Sequence, residues 1–488
     1  SEYCVRQKMK KALSYFLLTA FLLVGFALRL YKVSSPVADW HSWRQADTAS
    51  VSKIYVEEGI EPLNPRYLDI STIQTGYYNP KGLRLVEFPL YNIIHALLFK
   101  AYPGLSLEVW GRLTSTFSAL ISSVFIFALG NRFIGKNGGL IASAVFLFTP
   151  YNIYFSRVIL PEPLAVTLAL AGLWAFVKFF DSESWLYFFS SAILISLSIL
   201  VKPFTLFYLV PVIYLSLKKY DLKGILWTPK LLINFLAFVN IIIVPFLIWR
   251  VWINMSPAGI PHFTWAFNGD KIRFRPAFFR WIFGERIGRL ILGVWGLIPF
   301  SIGVLISNKK NIFNLVFFLS VIAFAFNIAT ASVRHDYYQI FLIPPISLIF
   351  AQGALALWKS FPGMDKTLAR GILIFASFIA LIVSGNEVKA FYAVNHPEIV
   401  EAGKLADEIL PKDAFVLAPY NGDTAFLYQT GRRGWPVIED SIDNLIEKGA
   451  DYYISVDVGS LDSKNFRERF EVVRETSSFV ILDLHKEK

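Results

Sequence analysis

The sequence predicts an α-helical polytopic membrane protein that ends in a small soluble α/β domain. Its 488 residues are 55% hydrophobic and only 17% charged, whereas a soluble protein keeps about 25% charged residues. The mean hydropathy is +0.50. Apolar runs long enough to span a bilayer recur up to about residue 390, and the composition then changes. Aromatic residues reach 16%, with 45 Phe and 13 Trp, which suits lipid-facing helices and interfacial belts.

A span needs about 20 apolar residues, with roughly 17–25 tolerated. Candidate runs lie near 12–31, 108–131, 138–155, 159–180, 185–201, 203–217, 230–252, 286–306, 311–330, 337–358 and 368–388. The first follows Arg6, Lys8, Lys10 and Lys11. It resembles a signal peptide, but it is long enough to span and lacks an A-x-A site, so it reads as an uncleaved first helix. Pro203 divides the short pair 185–201 and 203–217. The segment 87–102 is marginal in length and carries Pro89, Asn92 and His95.

Basic residues gather in cytoplasmic loops, and this rule decides the marginal segment. If 87–102 does not cross, about eleven spans remain, and Arg132, Lys136, Lys218, Lys219, Lys223, Lys309, Lys310, Lys359, Lys366 and Arg370 all fall inside with the N-terminus. If it crosses, they all fall outside. The non-crossing reading is adopted. It places a first loop at 32–107, the turns around Arg157, Lys202 and His335, a loop at 254–285 and the C-terminal region on the extracytoplasmic side of the inner (plasma) membrane. Irregular polar backbone at membrane depth is tolerated only beside protein or a water-filled cavity, so one polar, cavity-lined face is expected there.

After about residue 393, Ala414–Ala418, Tyr452–Val456 and Phe479–Leu484 read as strands, and Pro397–Ile409 and Ile442–Lys448 as helices. The domain organisation is therefore 1–392, spanning, and 393–488, soluble α/β.

Several function classes fall away. The net charge of +11 is explained by cytoplasmic loops meeting anionic headgroups, and no nucleic-acid-binding motif accompanies it. Cys4 is the single cysteine, which excludes an intrachain disulfide. No phosphate loop, HExxH zinc motif or G-x-S-x-G elbow is present.

The residues that could carry chemistry lie on the outer side. Asp39 opens the stretch Asp39-Trp40-His41-Ser42-Trp43-Arg44-Gln45-Ala46-Asp47-Thr48. Asp47 or Thr48 could cap a helix whose Val51, Ile54 and Tyr55 form an apolar face, or the carboxylate could sit over a cavity as a general base. Glu87 heads Glu87-Phe88-Pro89-Leu90-Tyr91, where an acid is either a helix-dipole partner or shares the chemistry of Asp47. Arg157 and Glu162 flank an outer helix end, and Arg157 could simply snorkel to the interface. Lys202 is a lone base on the outer face, against the usual charge bias. Arg334, His335 and Tyr338 enter a span, with His335 a candidate cap. Arg157, Lys202 and Arg334 together could offer positive charge to a phosphate.

These residues, in this order, resemble the GT-C glycosyltransferases of the protein O-mannosyltransferase and lipid A aminoarabinose transferase superfamily over roughly residues 10–390. "HSWRQADTAS" is similar to a first-loop motif of a bacterial branch, Glu87–Tyr91 to the acidic Pro-containing segment, and "SRVILPEPL", "VKP" and "HDYYQIFLIPP" to later outer-loop motifs. The resemblance implies a GT-C fold with juxtamembrane helices, and transfer with inversion from a polyprenyl-phosphate-linked sugar to a lipid, glycan or protein acceptor. It also implies a first-loop Asp as base. Many members carry an Asp-Glu pair where this chain has Arg44-Gln45 and then Asp47. The role is carried to Asp47, with Asp39 as fallback; Glu87 would orient the sugar or acceptor, and Lys202 and Arg157 would offset charge on the departing phosphate. No cofactor is assigned, and a divalent cation is left open. The rival readings are a transporter or flippase of a lipid-linked sugar, and a non-catalytic membrane subunit. A transporter typically shows inverted repeats, and no repeat is visible here.

Overall fold

The computed structural model describes residues 2–309 and 312–488, with side chains from Ala12 onward. Lys310 and the side chains of Arg6, Lys8, Lys10 and Lys11 lie outside the described residues. The chain forms two compact units. One comprises Ser1–Tyr31, Leu113–Ile248 and Phe263–Ala390; the other comprises Lys32–Arg112, Trp249–His262 and Phe391–Lys488.

The first unit is helical. Among the described residues six helical stretches of the chain are long and apolar enough to cross a membrane, namely Ala12–Arg29, Leu107–Phe133, Glu162–Ser182, Pro229–Asn254, Asp336–Lys359 and one starting at Lys366. Lys136–Phe148, Trp185–Val201 and Ile312–Asn327 are shorter apolar helices. This is a multi-pass membrane protein. Prolines interrupt two of the predicted spans, since the residue lacks an N–H and its ring crowds the i−4 carbonyl, while Pro245 is accommodated inside Pro229–Asn254. Pro150 splits 138–155 into Lys136–Phe148 and Pro150–Phe155, and Pro203 starts a 3₁₀ turn, Pro203–Tyr208, ahead of the helix Leu209–Tyr220. The run 286–306 is likewise interrupted, as a π-helical stretch Arg280–Ile291 followed by Leu297–Leu305.

Small residues let these helices approach, as is usual where lipid supplies no hydrophobic contrast. A Cβ on Gly353 would fall 1.7 Å from Pro299 O, and one on Gly130 would fall 2.7 Å from Gly139 Cα. Elsewhere aromatic rings fill the space. Phe188 meets Phe179 at 4.8 Å and Phe238 at 4.7 Å between centroids.

In the second unit, the last hundred residues carry a five-stranded sheet of order β2-β1-β3-β5-β4. The strands are β1 (Phe415–Leu417), β2 (Arg433–Trp435), β3 (Tyr452–Ser455), β4 (Phe470–Glu475) and β5 (Val480–Glu487). β1 pairs in parallel with β2 and β3, while β5 is antiparallel to β3 and β4. Leu417, Trp435, Tyr453, Phe470 and Leu482 form its core, and Ile70 of the first loop packs into that cluster.

The loop also extends the sheet edge. Ile70 N–H donates to Gly434 O, and Gly434 N–H to Leu68 O, both at 3.0 Å. Glycine is required at 434 because a Cβ there would lie 1.7 Å from Val416 O. The first-loop helix Ser42–Glu57 packs on the helix Leu90–Ala101, where Asn92 Nδ2 donates to Thr48 O at 2.7 Å and Ser52 Oγ at 3.1 Å.

Candidate functional site

The helix Ser42–Glu57 begins earlier than the sequence suggests. His41 is its N-cap, with φ 55° in the left-handed region, so neither Asp47 nor Thr48 caps it. Nor is it a surface amphipathic helix, because Arg44 through Ser52 are all buried. Val51, Ile54 and Tyr55 do face a core, as their spacing implies. Asp47 in consequence projects from the second turn into protein.

Asp47 is 0% exposed. Its Oδ2 lies 2.7 Å from Arg84 Nη2, and its Oδ1 accepts from Thr424 Oγ1 at 2.7 Å. Gln74 Nε2 adds a contact at 3.3 Å, and Arg84 also bonds Gln74 Oε1. Arg84 lies over the Tyr67 ring at 5.1 Å. A second buried carboxylate, Asp69, accepts from Ser71 N–H at 2.8 Å. Burial first, and the Asp47 charge among lesser causes, raises the Asp69 carboxyl to about 7, against the lowering effect of the Ser71 bonds.

Asp39 has a different environment. Gln45 Nε2 donates to its Oδ1 at 2.7 Å. It lines a cavity of about 300 Å³ together with His41, Asn395, His396, Tyr420 and Asp423. Asp423 caps the helix Thr424–Thr430 by accepting from Ala425 N–H at 2.7 Å. Burial is the main reason its carboxyl rises to about 6, helped by the charge of Asp47 and opposed by that cap bond and His396. Trp40 stacks on Phe391 at 5.1 Å.

Glu87 is neither a helix cap nor solvated. The following helix starts at Leu90, and Arg44 Nη2 pairs with Glu87 Oε1, both side chains being largely buried. Arg44 and Glu87 are thus brought together, while Asp39 and Asp47 each have their own partners.

In the helical unit, Lys202 Nζ lies 2.7 Å from Glu162 Oε1, with side chains 6% and 0% exposed. The ammonium is 5.6 Å from the Tyr338 ring and 5.7 Å from Phe204. His335 stacks on Tyr337 at 5.5 Å and meets Tyr338 at 6.2 Å, and its side chain makes no cap bond. Lys202, Glu162, Tyr338 and His335 therefore form one neighbourhood. Arg157 does not snorkel: it is fully buried, donates to Tyr31 O at 3.0 Å and lies 5.5 Å from the Tyr154 ring. Arg334 is half-exposed and chelates Asp270 with two N–H groups.

Sequence reasoning missed Arg84, Asp69, Asp423, Tyr420 and Arg286, the last 3.7 Å from Asp336. A signal was available for some. Arg84 is a basic residue in a loop expected on the outer side, against the usual bias, and Asn421-Gly422-Asp423-Thr424 has the composition of a turn leading into a helix cap. Among the described residues, no group of three or more His, Cys, Asp or Glu side chains is arranged to hold a metal ion.

Residues 89–249 match the family model described as dolichyl-phosphate-mannose-protein mannosyltransferase. The fold is similar to that of ArnT from Cupriavidus metallidurans bound to undecaprenyl phosphate, at 12% identity and a TM-score of 0.64 over 96% of this chain and 98% of that one. The chain has an ArnT-like fold. The apo state of the same ArnT gives 11% identity and a TM-score of 0.63, covering 96% of this chain and 97% of that chain. The Archaeoglobus fulgidus oligosaccharyltransferase, in complex with Zn and sulfate, gives 10% identity and a TM-score of 0.56, over 96% of this chain and 73% of that one. Comparison with curated protein sequences gives no match.

Proposed function

We propose that this protein is an inner-membrane glycosyltransferase that moves a monosaccharide, with inversion, from a polyprenyl-phosphate donor to an extracytoplasmic lipid, glycan or protein acceptor. The acceptor hydroxyl oxygen attacks the anomeric carbon while the bond from that carbon to the phosphate oxygen breaks. The bonding pair leaves with the lipid phosphate, and a first-loop carboxylate takes the hydroxyl proton. General-base help of this kind is worth about 10²–10⁴ in rate. A sugar phosphate already carries its leaving group, so no nucleotide is needed.

The observation that carries the choice of base is the contrast between the two aspartates. Both oxygens of Asp47 are engaged inside the protein, by Arg84, Thr424 and Gln74; Asp39 too is held, by Gln45, but it also lines a cavity. On that ground we favour Asp39, the fallback, over Asp47 as the base, with Asp47 bracing the helix Ser42–Glu57 through Arg84. Glu87, held by Arg44, positions the segment that leads into Leu90–Ala101. Lys202, oriented by Glu162, offsets charge on the departing phosphate; a preorganised cation is most effective where charge develops in the transition state. Tyr338 and His335 pack beside it, and Arg157 stiffens the adjoining turn.

The test is transfer by purified protein from synthetic polyprenyl-phosphate sugars to envelope extracts, with the product's anomeric configuration read by NMR. The proposal expects label to move and the configuration to invert. A retained configuration, or transfer only from nucleotide sugars, overturns it.

A further inference from the structure

The helical unit contains a second feature that the transfer chemistry does not use. A cavity of about 540 Å³ is walled by Leu17 and Phe21 of the first helix, Ile141 of Lys136–Phe148, Leu355 and Trp358 of Ile343–Lys359, and Leu381 of Lys366–Val388. Its lining is almost wholly apolar, with Asn137, Thr149 and Ser377 the exceptions that carry an amide or hydroxyl. From Asn137 to Thr149 it follows one helix for roughly 18 Å at 1.5 Å per residue.

Its two ends differ. Near the Thr149 end the backbones pack closely: a Cβ on Gly293 would lie 2.0 Å from O of Ala380, a lining residue. At the other end, a Cβ on Gly138 would meet Leu355 Cδ1 at 3.3 Å, which sets the start of one helix beside the end of the next. There Arg370 lies 4.6 Å over the Trp358 ring and donates from Nε to Trp358 O at 3.1 Å. Lys359 follows Trp358, Lys136 precedes Asn137, and Lys366 is one helical turn before Arg370. Asp365 is the nearby acid, and its carboxylate caps Leu368 N–H at 2.8 Å. Among the described residues Lys359, Lys366 and Arg370 make no ion pair.

We infer that this slot is a binding site for an anionic phospholipid, with one acyl chain lying between the helices and its phosphate at the mouth made by Arg370, Lys359, Lys366 and Lys136. The apolar walls exclude a polar ligand. The cations choose the headgroup, since each Lys or Arg near a membrane surface favours anionic lipid by roughly fivefold. The site is not the donor's. Arg29, at the far end of the first helix, donates to Ser156 Oγ at 2.8 Å and to Leu147 O at 3.1 Å, so the turn that carries Arg157 lies by the Thr149 end, about one helix length from the cationic mouth. The inference is independent of the proposed transfer reaction.

Native mass spectrometry of the full chain, exchanged into detergent with equimolar phosphatidylglycerol and phosphatidylcholine, tests it. One phosphatidylglycerol should be retained per chain. The exposed-face variant K359Q/R370Q should lower its preference over phosphatidylcholine by roughly tenfold or more, and A144F, at a lining residue, should release both lipids. Melting curves of each variant in the same detergent confirm that the fold persists. Equal retention of the two lipids by the unaltered protein, or retention unchanged in A144F, overturns the site. Displacement of phosphatidylglycerol by undecaprenyl phosphate also overturns it, because the slot would then belong to the donor.

Discussion

Asp47 and Arg84 meet at 2.7 Å with side chains 0% and 7% exposed, and Thr424 of the sheet-bearing segment closes the same carboxylate at 2.7 Å. A salt bridge buried this deeply cannot lose one member cheaply. The remaining charge is left without compensation, at a cost of about 3–5 kcal/mol. Asp47→Asn and Arg84→Met should each lower the melting temperature and speed proteolysis of the C-terminal segment. The doubly substituted protein should lose less than the sum of the two. Additive losses in thermal melts would show that the pair is not coupled.

Asp69 and Asp423 give the same unit a pH dependence. Their folded values, about 7 and about 6, lie above the usual carboxylate value, so the folded state holds protons that the unfolded state has released. The stabilisation from this source is complete below the unfolded value near 4. It declines as pH rises through 6 and 7. Melting measured from pH 5 to pH 8 should therefore fall with pH, and Asp69→Asn should flatten the slope. A slope unchanged in Asp69→Asn and in Asp423→Asn would reject this assignment.

Glu87 and Arg44 form the other buried pair of the first loop. Glu87→Gln should destabilise the unit by about 3 kcal/mol, and transfer should recover in proportion when conditions restore the folded fraction. If Glu87→Gln instead reduces kcat at full folding, the carboxylate contacts substrate.

Lys202 should act on the phosphate. Lys202→Met is expected to lower kcat by about 10²–10³, as removal of an oxyanion-type donor does. Glu162→Gln should have a smaller effect, exerted through the position of Lys202. Steady-state kinetics with a polyprenyl-phosphate sugar separate the two; equal losses would mean that the pair is purely structural.

Sequence periodicity and charge bias carried the helical unit a long way. The expected runs near 12–31, 108–131, 159–180, 230–252 and 368–388 appear as helices with shifted ends, because twenty consecutive apolar residues have few other options. The interruptions were less legible. Pro150 falls inside an apolar run, and the π-helical stretch Arg280–Ile291 has no local mark. In the C-terminal segment the three predicted strands and two helices all occur, but β2 and β4 were missed. β2 is three residues held by pairing with β1 and the first loop, and such pairing has no local signature. The candidate site divides the same way. Residue types and order marked Asp39, Asp47, Glu87 and Lys202 as chemically interesting, yet their partners Arg84, Thr424 and Arg44 are fixed by tertiary packing. Spacing alone carries no record of such partners.

In the proposed reaction Asp39, and not Asp47, receives the acceptor's proton. Single-turnover transfer from a polyprenyl-phosphate sugar by Asp39→Asn, compared with Asp47→Asn at matched folded fraction, tests it most directly. The prediction is a rate reduced by about 10²–10⁴ for Asp39→Asn, with unchanged melting, and a rate near that of the unaltered protein for Asp47→Asn. Undiminished transfer by a folded Asp39→Asn would remove Asp39 from the role.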